Sequence, residues 1–123
     1  MRRSIVFFLV VAAIAPASAL AGPGPHFRAT AGLTKPTGGS CSSSSTAIWR
    51  NVPAGVNEVD FTFFVNGTNV SGEFDNTFSA PKSGSVSASG SPSVPSGGTF
   101  SFSASYKSGT VVEGTATSRT LTC

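Results

Sequence analysis

Cys41 and Cys123, the only cysteines of the chain, are the residues whose chemistry is easiest to predict. An even cysteine count in an exported protein predicts a disulfide, and two cysteines allow a single intramolecular connectivity. The bridge would close a loop of 83 residues, which in the chain-entropy description stabilises the fold by roughly 4.5 kcal/mol. An intermolecular bridge and a catalytic thiol are the alternatives. A structural disulfide is the interpretation we favour.

Acid–base and nucleophilic catalysis have few residues to draw on. His26 is the only histidine, and it lies close to the start of the expected mature chain, where a catalytic base is poorly oriented. The serines lack the strand-to-helix turn that a G-x-S-x-G nucleophile needs, and no G-x-x-x-x-G-K-[ST] phosphate loop occurs. We therefore predict a non-enzymatic protein without a cofactor.

Four carboxylates raise the question of a metal site. Glu58 and Asp60 share one face of a predicted strand, and Glu73 and Asp75 share one face of the next. If the faces coincide, the four carboxylates converge and could hold Ca²⁺ with the help of loop carbonyls. The alternative, which we favour, is a solvated outer face of an antiparallel sheet. Zinc would need three or four clustered ligands, so we predict no metal site.

Three aromatic residues are candidates for ligand contact. Phe64 faces away from Val59, Phe61, Phe63 and Val65 in the alternating segment 56–65. If Phe64 is exposed together with Trp49 or Tyr106, the rings could stack on a sugar or fill a pocket of a partner. The alternative is that the second face is also covered, and a core position is the favoured interpretation for Trp49 and Tyr106.

The first 21 residues are typical of a secretory signal peptide. Arg2 and Arg3 precede the apolar segment 5–14, and small residues follow, with cleavage expected after Ala19 or Ala21. The apolar segment is too short to span a bilayer, so we expect no stable membrane insertion after cleavage. The predicted location is extracellular, or periplasmic if the host has two membranes.

Removal of the signal peptide changes the electrostatic interpretation. The formal charge falls from +3 to +1, because six basic and five acidic residues remain. A charge this small provides no field for attracting nucleic acid, which we exclude as a partner. Residues 22–123 are expected to form one domain.

The mature composition favours strands over helices. Strong helix formers are scarce, with only two leucines, whereas Phe, Val and Thr are frequent and separated by turn residues. Asn66-Gly67 is a strong hairpin signal, because a type I′ turn needs two residues that tolerate positive φ. These patterns predict about seven to nine short strands in an antiparallel β-sandwich or small barrel. Their expected ranges are 26–33, 46–52, 56–65, 68–74, 77–80, 84–89, 100–106, 110–113 and 115–123, with loops at 34–45 and 90–98.

The segment 92–104, PSVPSGGTFSFSA, resembles a segment of immunoglobulin-like domains in secreted bacterial proteins. In those domains a proline-rich edge and a glycine pair lead into an alternating strand. Trp49 is similar to the core tryptophan of the family, but the order Cys, Trp, Cys at short range is absent, since Cys123 is terminal. The resemblance implies an all-β, immunoglobulin-like antiparallel β-sandwich and no functional residues.

Together these observations predict a secreted binding domain whose ligand is an extracellular protein or a polysaccharide. The alternative is a structural, coat-like component that self-associates through its Ser/Thr-rich faces and its edge strands. Asn66 and Asn69 each begin an N-glycosylation acceptor pattern, which matters only in a host that glycosylates. The favoured role for Asn66 is in the hairpin turn.

Overall fold

The computed structural model describes residues 24–35, 38–76 and 79–123, without the side chains of 71–74 and 76. The predicted signal peptide therefore lies outside the described residues. Within them the chain is all-β and has no helix, hence none that could cross a membrane. The nine strands are β1 (His26–Thr34), β2 (Cys41–Arg50), β3 (Glu58–Val65), β4 (Thr68–Asn76), β5 (Gly84–Ser87), β6 (Ser93–Val94), β7 (Thr99–Ser108), β8 (Val111–Thr117) and β9 (Leu121–Thr122).

The strands form two antiparallel sheets. In the first sheet β2 pairs on one side with β1 and on the other with β5 and then β6. In the second sheet the order is β4, β3, β7, and β7 pairs along its far side with β8 and β9. Each sheet thus has one long strand that changes partner partway along its length.

Alternation of apolar and polar residues explains why β3 and β7 lie at the centre of the second sheet. In β7 every second residue from Phe100 to Tyr106 is buried, and the serines between them are half-buried on the outer face. Burial on one face fixes the register, because a slip of one residue would reverse every side chain. Asn66 and Gly67 have φ values of 54° and 78° between β3 and β4, which confirms the predicted hairpin turn.

The inner faces of the two sheets meet in a single apolar core, which also includes the loop residues Val52 and Val56. Aromatic rings form the middle of this core, with Phe61 and Phe102 at 5.6 Å between ring centres. The buried apolar residues are Cys41, Ala47, Trp49, Val52, Val56, Val59, Phe61, Phe63, Val94, Phe100, Phe102, Ala104 and Tyr106.

Cys41 and Cys123 form the predicted disulfide, with 5.9 Å between their Cα atoms. Cys41 begins β2 in the first sheet, and Cys123 follows β9 of the second sheet, where its amide donates to the Gly98 carbonyl at 2.8 Å. The bridge therefore joins the two sheets at one end of the molecule.

Two predicted loops contain strand. The expected loop 34–45 is shorter, because Cys41–Ser45 continue β2, with Ser42–Ser45 paired to β1 and Cys41 paired to Val94 of β6. Pairing with a neighbouring strand outweighs the weak strand preference of serine. The expected loop 90–98 contains β6, which fits between Pro92 and Pro95 because it is only two residues long and lies at an edge.

The boundary predicted between the last two strands, 110–113 and 115–123, is also wrong. Val111–Thr117 form one strand, and the interruption falls at 118–120 instead. Ser118 explains the interruption, because its hydroxyl accepts the Phe102 amide at 3.0 Å while its own amide donates to the Phe102 carbonyl. For the predicted strand 77–80, Thr77 and Phe78 lie outside the described residues, and Ser79 and Ala80 are not in a strand.

Candidate functional site

Two of the three candidate ligand-contact aromatics lie in the core. Trp49 and Tyr106 are 1% and 0% exposed, and their ring centres are 6.0 Å apart. The Trp49 indole donates to the Pro81 carbonyl at 3.2 Å. Neither ring face is available to a ligand, so the structure places these residues as the core interpretation expects.

Phe64 is half-buried on the outer face of the second sheet, away from the core. It pairs across the sheet with Ser101 on one side and with Asn69 on the other, where the β3–β4 register shifts. Among the three aromatics it alone remains partly accessible for stacking. A single half-buried ring, without Trp49 or Tyr106 beside it, does not form an aromatic platform.

The strand register separates the four carboxylates. Glu73 pairs with Phe61 and Asp75 with Val59, whereas Glu58 and Asp60 occupy the alternate positions of β3. Residues directly opposite each other in an antiparallel pair share a face, so the two pairs of carboxylates lie on opposite faces of the sheet and the condition for a four-carboxylate Ca²⁺ site is not met. No group of three metal-ligating side chains occurs among the residues the structure describes.

Glu58 and Asp60 instead meet a cation. Lys107 Nζ lies 2.8 Å from Asp60 Oδ2 and 3.7 Å from Glu58 Oε2 on the outer face of the second sheet. The hydrogen bond with Asp60 is the main cause of a raised Glu58 pKa, and the contact with Asp60 likewise raises the Lys107 pKa. Lys107 compensates one of the two carboxylate charges, so the group keeps a formal charge of −1.

The outer face of the first sheet carries a different set of residues, which we call the basic face. It consists of His26, Arg28, Ile48, Arg50 and Ser85, which neighbour one another across β1, β2 and β5. His26 is directly opposite Arg50, and Ile48 lies between Arg28 and Ser85. His26, Arg28 and Arg50 are exposed, and Ile48 is half-buried.

Within the part of the chain that the structure describes, no carboxylate forms an ion pair with the basic face. The ion pairs found among the described residues both belong to Lys107, on the other sheet. All five acidic residues of the sequence lie in β3, β4 and β8 of the second sheet, whereas β1, β2, β5 and β6 contain none. The negative charges therefore lie on one sheet only, and the basic face lies on the other.

Two adjoining cavities cover the basic face. The first, of about 390 Å³, is lined by His26, Phe27, Arg28, Ile48 and Arg50. The second, of about 710 Å³, shares Ile48 and Arg50 and continues across β5. Its remaining lining residues are Trp49, Asn51, Ser83, Gly84 and Ser85. Both are open, shallow depressions of the sheet surface, and together they cross the three strands as one strip that we call the trough.

Contacts with buried aromatic residues fix the strands that carry this trough. The Tyr106 hydroxyl donates to the Arg28 carbonyl, which ties β1 of the first sheet to β7 of the second. Gly84 pairs with Trp49, and a Cβ at Gly84 would lie 2.9 Å from Trp49 Cζ2, so glycine is needed for the indole to lie against β5. The positions of Arg28 and Ser85 are thereby determined by buried aromatic residues.

Sequence reasoning missed the basic face because its members come from three separated segments. One signal was present: residues 22–57 contain His26, Arg28, Lys35 and Arg50 and no acidic residue. Averaging the charge over the whole mature chain concealed that asymmetry. No family model matches the chain, and no curated protein or solved structure shows significant similarity to it.

Proposed function

We propose that this chain is a secreted, non-enzymatic binding domain that takes its ligand on the basic face. The observation that carries the proposal is the trough of two adjoining cavities with Arg28 and Arg50 along it, neither paired to a described carboxylate. Neighbouring cations left uncompensated on one face produce a local positive potential that attracts an anionic ligand.

Export is part of the proposal. Residues 1–21 have the sequence of a signal peptide, and the Cys41–Cys123 disulfide is the kind of bond that persists in oxidising compartments. The released domain would act outside the cytoplasm, in the extracellular space or the periplasm.

An immunoglobulin-like sandwich is the fold we infer for the domain. The strand order supports it: β1, β2 and β5 would correspond to the A, B and E strands, and β4, β3, β7 and β8 to C′, C, F and G. The position of the disulfide differs from that in antibody domains. Here the bridge runs from the start of β2 to the last residue, whereas in antibody domains it joins strands B and F. Trp49 also lies on the second strand and not on the third.

The proposal is tested on the protein secreted by cells that express the full chain. Intact mass gives the cleavage site and the oxidation state of the cysteines, and the product is then screened against glycan and extracellular-protein libraries. We expect a ligand whose binding is lost when Arg28 and Arg50 are both changed to Gln. If the protein binds no member of either library, a binding function is contradicted.

Self-association is the second candidate, and the open sheet edges favour it. Among the described residues, β1 pairs only with β2 and β4 only with β3, and such edges offer free backbone groups to another chain. Size-exclusion chromatography with light scattering over a wide concentration range distinguishes the two candidates. A monomer at every concentration would contradict the structural role.

A further inference from the structure

We propose that the ligand of the basic face is an acidic polysaccharide, a sugar chain that carries carboxylate or sulfate groups. This inference rests on the proposed binding function and names its substrate class. Anionic units would lie over β1 and the end of β2, and uncharged sugar hydroxyls would lie over β5.

The two arginines and His26 are close enough to act on one segment of a chain. His26 and Arg50 are directly opposite each other, which places their Cβ atoms about 5 Å apart. Arg28 follows His26 on the same face, roughly 6.8 Å further along β1. Arginine presents a planar fork that binds carboxylate or sulfate oxygens in pairs, so this end of the trough recognises charge and orientation together.

The other end of the trough is neutral. The second cavity continues from Ile48 and Arg50 to Asn51, Ser83 and Ser85, whose amide and hydroxyl groups can exchange hydrogen bonds with sugar hydroxyls. Ile48 is half-buried between the two ends and offers an apolar contact of the kind that the C–H face of a sugar ring can cover. A ligand that fits the whole trough therefore carries both charge and neutral hydroxyls.

The dimensions of the trough favour a polymer over a small anion. The two cavities together cross three strands, which at about 4.8 Å between strands is longer than one sulfate or one carboxylate can fill. A second copy of the chain is a poorer occupant, because Lys107 already lies 2.8 Å from Asp60 on the outer acidic surface of β3. Those carboxylates would have to give up their contact with Lys107 in order to bind an arginine of the other copy.

The test measures binding of the secreted, disulfide-bonded protein to dextran sulfate and to polygalacturonate, with uncharged dextran and polyglutamate as comparison ligands. We expect binding to one or both acidic polysaccharides, weaker binding to polyglutamate, and none to dextran. The two acidic polymers distinguish sulfate from carboxylate recognition. Affinity should fall as salt is raised, because the contacts are exposed ion pairs.

The decisive variant is Arg28→Gln/Arg50→Gln, and its matched control is Lys35→Gln/Lys82→Gln. Both remove two charges, but Lys35 and Lys82 are exposed and line neither cavity of the trough. We expect at least about tenfold weaker binding for the arginine pair, since a charge-assisted hydrogen bond contributes that much or more. The lysine pair should stay within about twofold of the unsubstituted protein.

Several results would overturn the inference. One is equal weakening by the two double variants, which would indicate attraction by net charge alone. Another is binding to dextran or to polyglutamate that is as tight as binding to the acidic polysaccharides. A ligand found only among neutral glycans or proteins would overturn the acidic-polysaccharide inference and leave the binding function standing. Circular dichroism of each variant shows that the fold is retained, and Arg28→Lys/Arg50→Lys should recover part of the affinity through its charge.

Discussion

At the scale of single residues, Tyr106 links the core to the basic face. Its hydroxyl donates to the Arg28 carbonyl of the opposite sheet, and its ring lies 4.8 Å from that of Phe27. Burial raises the pKa of Tyr106 to about 12, although nearby backbone groups of Ile48 and Arg28 act in the other direction. One side chain therefore fixes both the spacing of the sheets and the strand that carries Arg28.

Tyr106→Phe is expected to lower the free energy of unfolding by about 1–2 kcal/mol near neutral pH, because the hydrogen bond to β1 is lost. Above pH 10 the unfolded chain ionises this tyrosine, while the folded chain keeps it protonated up to about 12. The unfolded state then binds fewer protons, so stability falls as pH rises through this window. The difference in unfolding free energy between the unsubstituted protein and Tyr106→Phe, measured in urea, should be smaller at pH 11 than at pH 8. An equal difference at both pH values would contradict the raised pKa of Tyr106.

At the scale of elements, the contact between β1 and β8 depends on the absence of a side chain. Gly114 pairs with Tyr106, and a Cβ at Gly114 would lie 2.4 Å from Phe27 Cε2. Phe27 fills the space that a side chain at residue 114 would occupy, which brings β1 against the second sheet.

Gly114→Ala is expected to destabilise the protein by about 1–3 kcal/mol, because the extra methyl group forces Phe27 to move. Gly24→Ala is the control, since a Cβ at Gly24 meets nothing within 4 Å. If the cause is this contact, Phe27→Leu should reduce the cost of Gly114→Ala when the two are combined, which unfolding of all four combinations measures. Additive costs would point to another cause.

How far the sequence predicts these elements depends on how local each signal is. Alternation identified β3 and β7, and Asn66-Gly67 identified the hairpin, because both signals lie within a few neighbouring residues. The start of β2 at Cys41 and the short β6 pair with each other although they are far apart along the chain, which no local pattern contains. The basic face was missed for the same reason, since it exists only through the register of β1, β2 and β5.

At the scale of the whole molecule, β2 connects the end that the disulfide stabilises with the end where we propose that the ligand binds. The strand begins at Cys41 of the disulfide and ends at Arg50 of the basic face, a length of roughly 30 Å for ten residues. The charges are separated as well, with every acidic residue of the sequence on the second sheet. Stability and ligand binding should therefore respond to different substitutions.

Removal of the disulfide tests that separation. The bridge joins residues 82 positions apart, so Cys41→Ala/Cys123→Ala should lower the free energy of unfolding by an amount between about 2 and 4.5 kcal/mol, mainly by enlarging the unfolded ensemble. Urea unfolding with and without reductant should show the same loss in the unsubstituted protein and no reductant effect in the variant. Because the bridge is far from Arg28 and Arg50, the folded variant should keep its affinity for acidic polysaccharide within about twofold. A variant that stays folded yet loses binding would show that the two ends of β2 are coupled.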